Sequence, residues 1–598
     1  MRLTFKLMSG VALCATLLLP SATFAQKAKA TDTKKVTWAH IKLSGTYPEG
    51  ATMPGLFGEL AENLSKTLSR LDKAAKDDAV KGVILKVGTI NVGWAKLNEL
   101  RTAIQALRKS GKTVIAHMND GDTRGFLVAT ACDKIVMPES GSLMLLGMRA
   151  EVTFYKNLFD KLDIKADMLR VGEFKSAAEP YTRTEMSAPF REEMEAVLDD
   201  YYDQLVSQIA SDRKLDRKKV MNAIDSGPHT AKGALELGLI DKLAYSDEIE
   251  TMISADLSDG AELKIAKRYG KKNVNMDFSG PFGPLNMLNV MLGGNQSKRR
   301  STKPKVAIIH ATGMIMPGSS TSSLMGGSVM GSDTMVKAIR KAASDKTVKA
   351  IVLRVDSPGG SALASDLIWR ALEKADKPVV ASMGDTAASG GYYISMGADT
   401  IFAEPGTLTG SIGVVGGKLA FGGLLKKIGV TTSVIQRGKN SAVMSVMSGF
   451  SDSERAAMQK MLYDVYDQFT SKAAAGRKMN VVKLEKLARG RVYTGNQALK
   501  LGLVDKLGTL EDAVAHAKKL AGLTQQTDTE RMILPEPANP LEMLLGPVNG
   551  DAQISSAADR FIKRLPRSLQ SAARHLNAIE LLANERVLTV MPYDLLVH

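Results

Sequence analysis

The chain has 598 residues, 24% of them charged and 44% hydrophobic, which is ordinary globular composition and enough sequence for two or more cores. Its formal net charge is +16, yet no DNA- or RNA-binding motif accompanies this charge and only 5% of the residues are aromatic, so the composition argues against nucleic-acid binding. The seven histidines and two cysteines show no metal-ligand spacing, and we expect no metal or other cofactor.

The first 25 residues have the pattern of an export signal. Arg2 and Lys6 give a positive start, residues 7–20 are mainly apolar, and small residues precede a cleavage position after Ala25. The apolar run is shorter than the roughly 20 residues that span a bilayer, and an uncleaved membrane anchor is the alternative interpretation. We expect an exported, periplasmic protein that is associated with the inner membrane. If the signal is removed, only Cys132 remains, so no intrachain disulfide is expected.

Four segments recur later in the chain in the same order, which predicts a domain duplication. The matched pairs are 80–87 with 348–355, 112–116 with 377–381, 202–204 with 466–468, and 234–243 with 498–507. The separation drifts only from 268 to 264 residues, and small loop insertions and deletions explain that drift.

Within each copy, short β-branched runs alternate with segments of helical periodicity, which predicts parallel βαβ units and an α/β fold. In the first copy the predicted strands are 83–87, 114–116 and 135–136, and the predicted helices are 97–109 and 188–210. In the second copy the predicted strands are 351–355, 379–381 and 401–402, and the predicted helices are 364–374 and 453–474.

Domain boundaries follow from the duplication. The first repeat covers 36–256, and a linker or extended arm that is rich in Gly, Asn, Pro and basic residues covers 257–303. The second repeat covers 304–523. A tail follows at 524–598, and the sequence assigns it no role.

The two copies differ after their first central strand. The second copy has Asp356-Ser357-Pro358-Gly359-Gly360, where the first copy has only residues 88–93, Gly-Thr-Ile-Asn-Val-Gly. Adjacent glycines let backbone amides approach a ligand, so this turn is a candidate oxyanion hole. An ordinary strand-to-helix turn is the alternative.

The next junction supplies a candidate nucleophile. Ser389 lies in Gly384–Tyr393, a stretch of small residues at a predicted strand-to-helix junction, and the Gly390 amide follows at a helix start. A helix N-cap is the usual role of such a serine. The equivalent stretch of the first copy, residues 121–126, contains no serine, so the first copy is expected to supply no nucleophile.

A serine hydroxyl needs a base, and no histidine falls in a motif coupled to Ser389. A lysine kept neutral by desolvation is the other option. Lys175 is the candidate. It lies in the stretch 170–180, which is longer than its counterpart 436–442 in the second copy and carries different side chains. From its position alone, a solvated surface lysine is the alternative interpretation.

Taken together, four motifs resemble those of the signal peptide peptidase A family in its long two-repeat form, within the Clp protease/crotonase-like superfamily. The motifs are Asp356–Gly360, Gly384–Ser395, Thr409–Gly413 and Val171–Ser176. The resemblance covers nearly the whole chain. It implies an α/β fold built as a tandem duplication of a Clp/crotonase-like ββα-superhelix domain.

The resemblance also implies a catalytic set and a setting. Ser389 matches the family's nucleophile, Lys175 its general base and Ser411 a serine that hydrogen-bonds the lysine. Gly359 and Gly390 match its oxyanion hole. The implied protein is a serine endopeptidase that hydrolyses cleaved signal peptides and other unfolded peptides, with a preference for small or apolar side chains beside the scissile bond. The resemblance also implies that it is a homotetramer against the membrane surface.

Two other functions remain open. A crotonase-type acyl-CoA enzyme shares the fold and an amide-built oxyanion hole, but it normally uses carboxylates and works in the cytoplasm. A catalytically inert envelope scaffold is the second alternative. The export signal and the Ser-Gly-Gly junction disfavour the first, and the presence of Ser389, Lys175 and Ser411 together disfavours the second.

Overall fold

The computed structural model describes residues 35–50, 62–257, 261–271, 301–322, 328–524, 526–536 and 587–590. The predicted signal segment 1–25 and most of the predicted linker and tail lie outside the described residues. Within the part that is described, no helix combines the length and the apolar character needed to cross a membrane.

The first repeat alternates strands and helices as the sequence predicts. Its strands are β1 (Lys35–Gly45), β2 (Val80–Ile90), β3 (Thr113–His117), β4 (Gly121–Asp122), β5 (Lys134–Met137), β6 (Ser142–Met144), β7 (Lys165–Val171), β8 (His229–Thr230), β9 (Lys242–Leu243) and β10 (Glu262–Ala266). Its helices are α1 (Leu64–Lys76), α2 (Trp94–Lys109), α3 (Thr123–Thr130), α4 (Lys156–Leu162), α5 (Glu179–Thr182), α6 (Ala188–Arg213), α7 (Arg217–Asp225), α8 (Ala231–Glu236) and α9 (Glu248–Ala255), with a 3-10 turn at Ser176–Ala178.

The second repeat follows the same plan. Its strands are β11 (Lys305–Thr312), β12 (Met314–Met316), β13 (Thr321–Ser322), β14 (Ser328–Gly331), β15 (Val348–Ser357), β16 (Gly359–Ser361), β17 (Val379–Ala388), β18 (Thr400–Ala403), β19 (Leu408–Gly410), β20 (Val414–Ala420), β21 (Val492–Thr494), β22 (Lys506–Leu507) and β23 (Glu530–Leu534), and β24 (Leu588–Val590) comes from the tail. Its helices are α10 (Ser332–Ser344), α11 (Ala362–Glu373), α12 (Gly390–Ser395), α13 (Gly422–Lys427), α14 (Asp452–Gly476), α15 (Val481–Leu487), α16 (Gly495–Leu501) and α17 (Leu510–Leu520).

The sheets confirm the duplication. The sheet of the first repeat has the order β10-β1-β2-β3-β5-β9, and the second repeat has β23-β11-β15-β17-β18-β22, which is the same order with equivalent strands. Strand β10 lies in the predicted linker 257–303 and β23 in the predicted tail 524–598, so both repeats extend further along the chain than the sequence predicted, each by an edge strand. All these pairs are parallel, and helices cover the sheets, so the central strands are buried on both faces. Val83 and Leu85 of β2 and Ile351 and Leu353 of β15 are fully buried. The α/β fold with a tandem repeat is confirmed.

The predicted elements lie within the observed ones, except that the predicted helix 364–374 runs one residue past the end of α11, and most observed elements are longer than predicted. The two long helices α6 and α14 begin where serines cap them: Ser187 accepts from the Phe190 N–H, and Ser451 forms a reciprocal capping box with Glu454. Their buried faces pack into the two main cores.

A third sheet joins the two repeats, and the sequence did not predict it. Strand β7 of the first repeat runs antiparallel to β20 of the second, in register from Val171 opposite Val414 to Lys165 opposite Ala420. The order of this sheet is β13-β14-β12-β16-β24-β20-β7. Because β7 leads directly to residues 172–175, the pairing carries that stretch of the first repeat onto the second.

Candidate active site

Ser389 occupies a strained junction between β17 and α12. Its backbone has φ 57° and ψ −112°, a conformation that costs free energy for any residue except glycine. Two hydrogen bonds hold the junction: the Ser389 N–H donates to the Gly410 carbonyl at 2.8 Å, and the Ser389 carbonyl accepts from the Tyr393 N–H. The side chain is fully buried and makes no capping hydrogen bond. Ser389 therefore occupies the N-cap position of α12, but its hydroxyl does not cap the helix.

Lys175 is fully buried in the turn that follows β7. Gly172 begins this turn with φ 107°, which favours glycine. Arg170 donates to the Lys175 carbonyl at 3.3 Å and pairs with the buried Glu179 at 2.7 Å. The Glu179 carboxylate also accepts from the hydroxyl and the N–H of Ser187, where α6 begins. The surface-lysine interpretation is wrong, because this turn is anchored inside the protein.

Ser411 lies between β19 and β20, and its backbone also has a positive φ, of 52°. It is fully buried, and its N–H donates to the Arg491 carbonyl at 2.7 Å. This bond ties Ser411 to the residue that precedes β21, so the position of Ser411 depends on a segment about 80 residues away in sequence.

These three side chains meet. Lys175 Nζ lies 2.8 Å from Ser389 Oγ, 3.0 Å from Ser411 Oγ and 3.0 Å from the Ser411 carbonyl oxygen. A neutral amine has two N–H donors and one lone pair. Both donors can go to the two oxygens of Ser411, which leaves the lone pair directed at the Ser389 hydroxyl. The geometry therefore suits proton transfer from Ser389 to Lys175.

Burial determines the charge state of the lysine. Desolvation lowers the pKa of Lys175 to about 7, since the apolar surroundings disfavour the ammonium form. The negative charge of Glu193 acts in the opposite direction and raises the pKa of Lys175. Glu193 is itself buried and accepts a hydrogen bond from the Val492 N–H at 2.7 Å. A substantial share of Lys175 is therefore neutral near pH 7.

Sequence reasoning missed the segment 489–492, which holds the lysine turn and Ser411 together. The Phe174 N–H donates to the Arg489 carbonyl at 2.9 Å, and the Gly490 N–H donates to the Ile412 carbonyl at 2.8 Å. A Cβ at Gly490 would lie 2.5 Å from the Lys175 nitrogen, so this position needs glycine. Nothing in a lone glycine between two arginines signals such a role.

The candidate oxyanion donors are the N–H groups of Gly359 and Gly390, and they belong to two segments that are in close backbone contact. A Cβ at Gly391 would lie 2.6 Å from the Ser357 carbonyl oxygen, so glycine there lets α12 approach the Ser357 turn. Gly390 is in the first turn of α12, where N–H groups have no intrahelical carbonyl. The Gly359 N–H donates to Ser357 Oγ at 3.2 Å, and Gly359 has φ 103°.

A largely buried cluster of one lysine and two aspartates, also missed from the sequence, links the nucleophile and oxyanion motifs to the first repeat. Lys96 Nζ lies 2.6 Å from Asp356 and 3.1 Å from Asp385, and these carboxylates raise the pKa of Lys96 against the effect of burial. Asp385 also accepts from the Gly93 N–H and the Lys96 N–H, so a residue of the second repeat caps helix α2 of the first.

Comparisons with a family model and with known proteins find related proteases. The model of peptidase family S49 matches residues 106–258 and 371–524. The chain is 32% identical to "Serine protease SPPA, chloroplastic" from Arabidopsis thaliana, over 88% of this chain and 73% of that protein. It is 29% identical to "Protease 4" from Haemophilus influenzae, over 89% of each chain.

Two further matches cover about a third of this chain each. A protein from Enterococcus faecium whose name includes the words signal peptide peptidase SppA is 42% identical over 32% of this chain and 57% of that protein. Among solved structures, a ClpP1 mutant from Listeria monocytogenes is 15% identical with a TM-score of 0.24, covering 35% of this chain and 94% of that chain. A TM-score this low adds nothing to the assignment.

Proposed function

Since the chain belongs to peptidase family S49 and is a serine peptidase, we propose that Ser389 is its nucleophile and Lys175 its general base. The observation that carries this proposal is the 2.8 Å separation of Lys175 Nζ and Ser389 Oγ inside a fully buried site. The two residues come from different repeats, so neither repeat alone holds a dyad. Ser411 orients the amine by accepting its two N–H groups.

The reaction begins with proton transfer. Neutral Lys175 takes the proton of the Ser389 hydroxyl as Oγ attacks the carbonyl carbon of the scissile peptide bond. The carbonyl oxygen becomes an oxyanion, which the Gly390 and Gly359 N–H groups stabilise, each contributing roughly 3–4 kcal/mol. For Gly359 to donate, the oxyanion has to replace Ser357 Oγ as its acceptor.

The acyl-enzyme then forms and breaks down. Protonated Lys175 gives its proton to the leaving amine nitrogen, the C–N bond breaks, and the acyl group stays on Ser389 Oγ. Lys175, neutral again, takes a proton from water, which attacks the ester carbonyl and releases the acid product. The lowered pKa of Lys175 suits both directions of transfer near neutral pH.

The proposed substrates are cleaved signal peptides and other unfolded peptides, acted on in the periplasm at the inner membrane. The export-signal pattern of residues 1–25 supports this location. The name of the Enterococcus faecium relative supports the substrate class. A buried nucleophile favours extended chains over folded proteins, because only an extended chain can reach it.

Two segments that the repeat makes equivalent to paired strands support the proposed homotetramer. Residues 431–437 correspond to β7 and residues 148–154 to β20, each at a spacing of 266 residues. In the part of the chain that is described, neither segment is paired in a sheet. Val434 is 64% exposed and Ile435 90% exposed. Pairing 431–437 of one copy with 148–154 of the next would repeat the β7–β20 contact head to tail, and such contacts form a closed ring when the rotation between neighbouring copies closes.

Light scattering tests this assembly. The wild-type chain should have the mass of four copies, and Ile435→Asp should dissociate it because a charge enters the paired edge. Val482→Asp is the matched control, since Val482 is 66% exposed on α15 and belongs to neither segment. A tetramer that survives Ile435→Asp unchanged would remove residues 431–437 from the interface.

Hydrolysis of peptides by the purified chain tests the function itself. Unfolded apolar peptides should be cut at mildly alkaline pH by the wild type and not by Ser389→Ala, while acyl-CoA thioesters are not turned over. Thioester turnover that persists in Ser389→Ala would favour the crotonase-type alternative. A folded wild-type chain that cuts none of a broad set of unfolded peptides would favour the inert scaffold.

A further inference from the structure

A bulge in the sheet of the second repeat lies beside the candidate active site. The pairing of β15 with β17 passes from Val355 opposite Met383 to Ser357 opposite Ala387, so three residues of β17, 384–386, lie opposite a single residue of β15. A bulge bends its strand and redirects side chains, and bulges are common next to active sites. Ser357 begins the candidate oxyanion turn, and the candidate nucleophile lies two residues after Ala387. The bulge therefore determines how the oxyanion turn and the nucleophile lie relative to each other.

Lys96 of the first repeat connects the two sides of this bulge. Its Nζ lies 2.6 Å from Asp356 Oδ2 on β15 and 3.1 Å from Asp385 Oδ2 in the bulge. The other oxygen of Asp356 accepts from the Thr386 N–H at 3.1 Å, and the other oxygen of Asp385 accepts from the Lys96 N–H at 3.0 Å. One side chain therefore joins the strand that leads to the oxyanion turn with the strand that leads to Ser389.

The position of Lys96 is itself fixed, because it lies in the first turn of α2. The Gly93 N–H donates to Asp385 at 3.1 Å, and a Cβ at Gly93 would clash with that carboxyl group, so glycine lets the start of the helix approach it. One turn further along α2, the buried Glu99 pairs at 2.8 Å with the fully buried Arg354 of β15. Helix α2 of the first repeat is therefore fixed against the second repeat on both sides of Lys96.

Lys96 stays charged, unlike Lys175. Burial lowers the pKa of Lys96, but the carboxylates of Asp356 and Asp385 raise it, and the net shift is upward. An amine that stays protonated cannot accept the proton of Ser389, so Lys96 is not a second base. Its ammonium lies between two carboxylates on neighbouring strands, which repel each other when no cation separates them.

We propose that Lys96 is a positioning residue, which sets the distance between the oxyanion turn and the nucleophile. The proposal rests on the proposed function for the roles of Ser389, Gly359 and Gly390. The first repeat then contributes two lysines, with neutral Lys175 as the base and charged Lys96 acting through the two aspartates. Moving the oxyanion donors relative to the nucleophile weakens an interaction that is made in the transition state, so a change at Lys96 lowers kcat and leaves KM in place.

Steady-state kinetics of full-length variants test this role. Lys96→Met keeps most of the side-chain stem and removes the ammonium, so kcat for an unfolded peptide should fall about 100-fold, as expected when reacting groups are misplaced by about 1 Å. KM should stay within about two-fold, because the interaction that is lost belongs to the transition state. Lys96→Arg restores a positive charge between the aspartates and should recover at least about ten-fold of the lost kcat.

A second variant and a matched control separate positioning from stability. Asp385→Asn keeps an acceptor at the start of α2 and removes one charge, so kcat should fall about ten-fold in a folded protein. The control is Lys112→Met, because Lys112 is also buried and its Nζ donates to the carbonyls of Asp77 and Val80, all within the first repeat. Lys112→Met should lower the urea midpoint of unfolding and leave kcat unchanged.

Three results would overturn the positioning role. They are wild-type kcat in folded Lys96→Met and Asp385→Asn, no higher kcat in Lys96→Arg than in Lys96→Met, and a loss of kcat in Lys112→Met as large as that in Lys96→Met. In each of them the wild type still hydrolyses the peptide, so the proposed function stands. Absence of hydrolysis in the wild type as well would reject the proposed function and the positioning role with it.

Discussion

The strand-to-helix junctions of the two repeats share one position in the fold and differ in what they do. In the first repeat, Asp122 precedes α3 with an extended backbone, and its side chain accepts from the Gly125 N–H at 2.7 Å. In the second repeat, Ser389 precedes α12 with φ 57° and makes no such bond. One junction stabilises its helix, whereas the other holds a hydroxyl in a strained conformation facing Lys175.

The difference teaches how a duplicated fold can divide one site. The first repeat keeps an ordinary cap and contributes a lysine through β7, and the second repeat contributes the serines. The turn that follows the β7-equivalent stretch of the second repeat has Ser441, which is exposed, where the first has the buried Lys175. Strain is concentrated at functional positions and is maintained by the surrounding contacts.

The largest difference is expected between alanine variants of the residues at the two junctions. Ser389→Ala should reduce peptide hydrolysis by on the order of 10⁴-fold or more, because the attacking oxygen is lost. Asp122→Ala should leave kcat/KM unchanged and lower the free energy of unfolding by about 1 kcal/mol, because only a cap is lost. Steady-state kinetics and urea unfolding measure the two effects. Loss of activity in the folded Asp122→Ala variant would break the comparison.

Removing the lysine should have an effect of similar order. Lys175→Met keeps the length of the buried side chain and removes the base, so hydrolysis should fall on the order of 10⁴-fold. Ser441→Ala, at the equivalent exposed position of the second repeat, is the matched control and should retain wild-type kinetics. Comparable kcat/KM values for Lys175→Met and the wild type would mean that another residue is the base.

A smaller effect is expected at Ser411. Ser411→Ala removes one of the two oxygens that accept from Lys175 Nζ and leaves the carbonyl, so kcat should fall about 10- to 100-fold. The control is Ser395→Ala, because Ser395 is equally buried nearby but donates within its own helix, to the Gly391 carbonyl. If both variants lose kcat to the same extent, Ser411 contributes packing and does not orient the amine.

The smallest effect is a shift in the pH profile. Because the base has to be neutral and the pKa of Lys175 is about 7, kcat/KM should rise with pH through about 7, and one pH unit below it should be about a tenth of its plateau. Glu193→Gln removes the negative charge that raises this pKa, so the rise should move to lower pH. Glu192→Gln, on the exposed side of α6, should leave the profile in place. A profile that does not move in Glu193→Gln would exclude Glu193 as a neighbour that sets the pKa.

Features of the fold that depend on local sequence patterns were predictable, and features that depend on contacts between distant segments were not. The repeats and the parallel βαβ units follow from local patterns, and the stretches around Val83 and Ile351 were predicted as strands for that reason. The pairing of Val171 with Val414 was not predicted, because a register between segments about 240 residues apart leaves no local trace. Strand β24, isolated in the tail, was missed for the same reason.

The candidate active site also depends on contacts between distant segments, which the sequence does not reveal. Ser389 was proposed from the glycines around it, but a sequence cannot distinguish its strained backbone from an N-cap. The burial that lowers the pKa of Lys175 depends on Gly490, whose missing side chain makes room for the lysine turn. Asp356 and Asp385 looked like parts of a nucleophile motif, and their ion pairs with Lys96 emerge only when the two repeats pack together.

The measurement that tests the central claim most directly is the rate at which a fluorophosphonate probe labels the chain, with the modified residue identified by peptide mass. A dyad shared between the repeats predicts labelling at Ser389 that increases as pH rises through about 7 and is lost in Lys175→Met. Labelling at another serine, or at Ser389 with an unchanged rate in Lys175→Met, would contradict it.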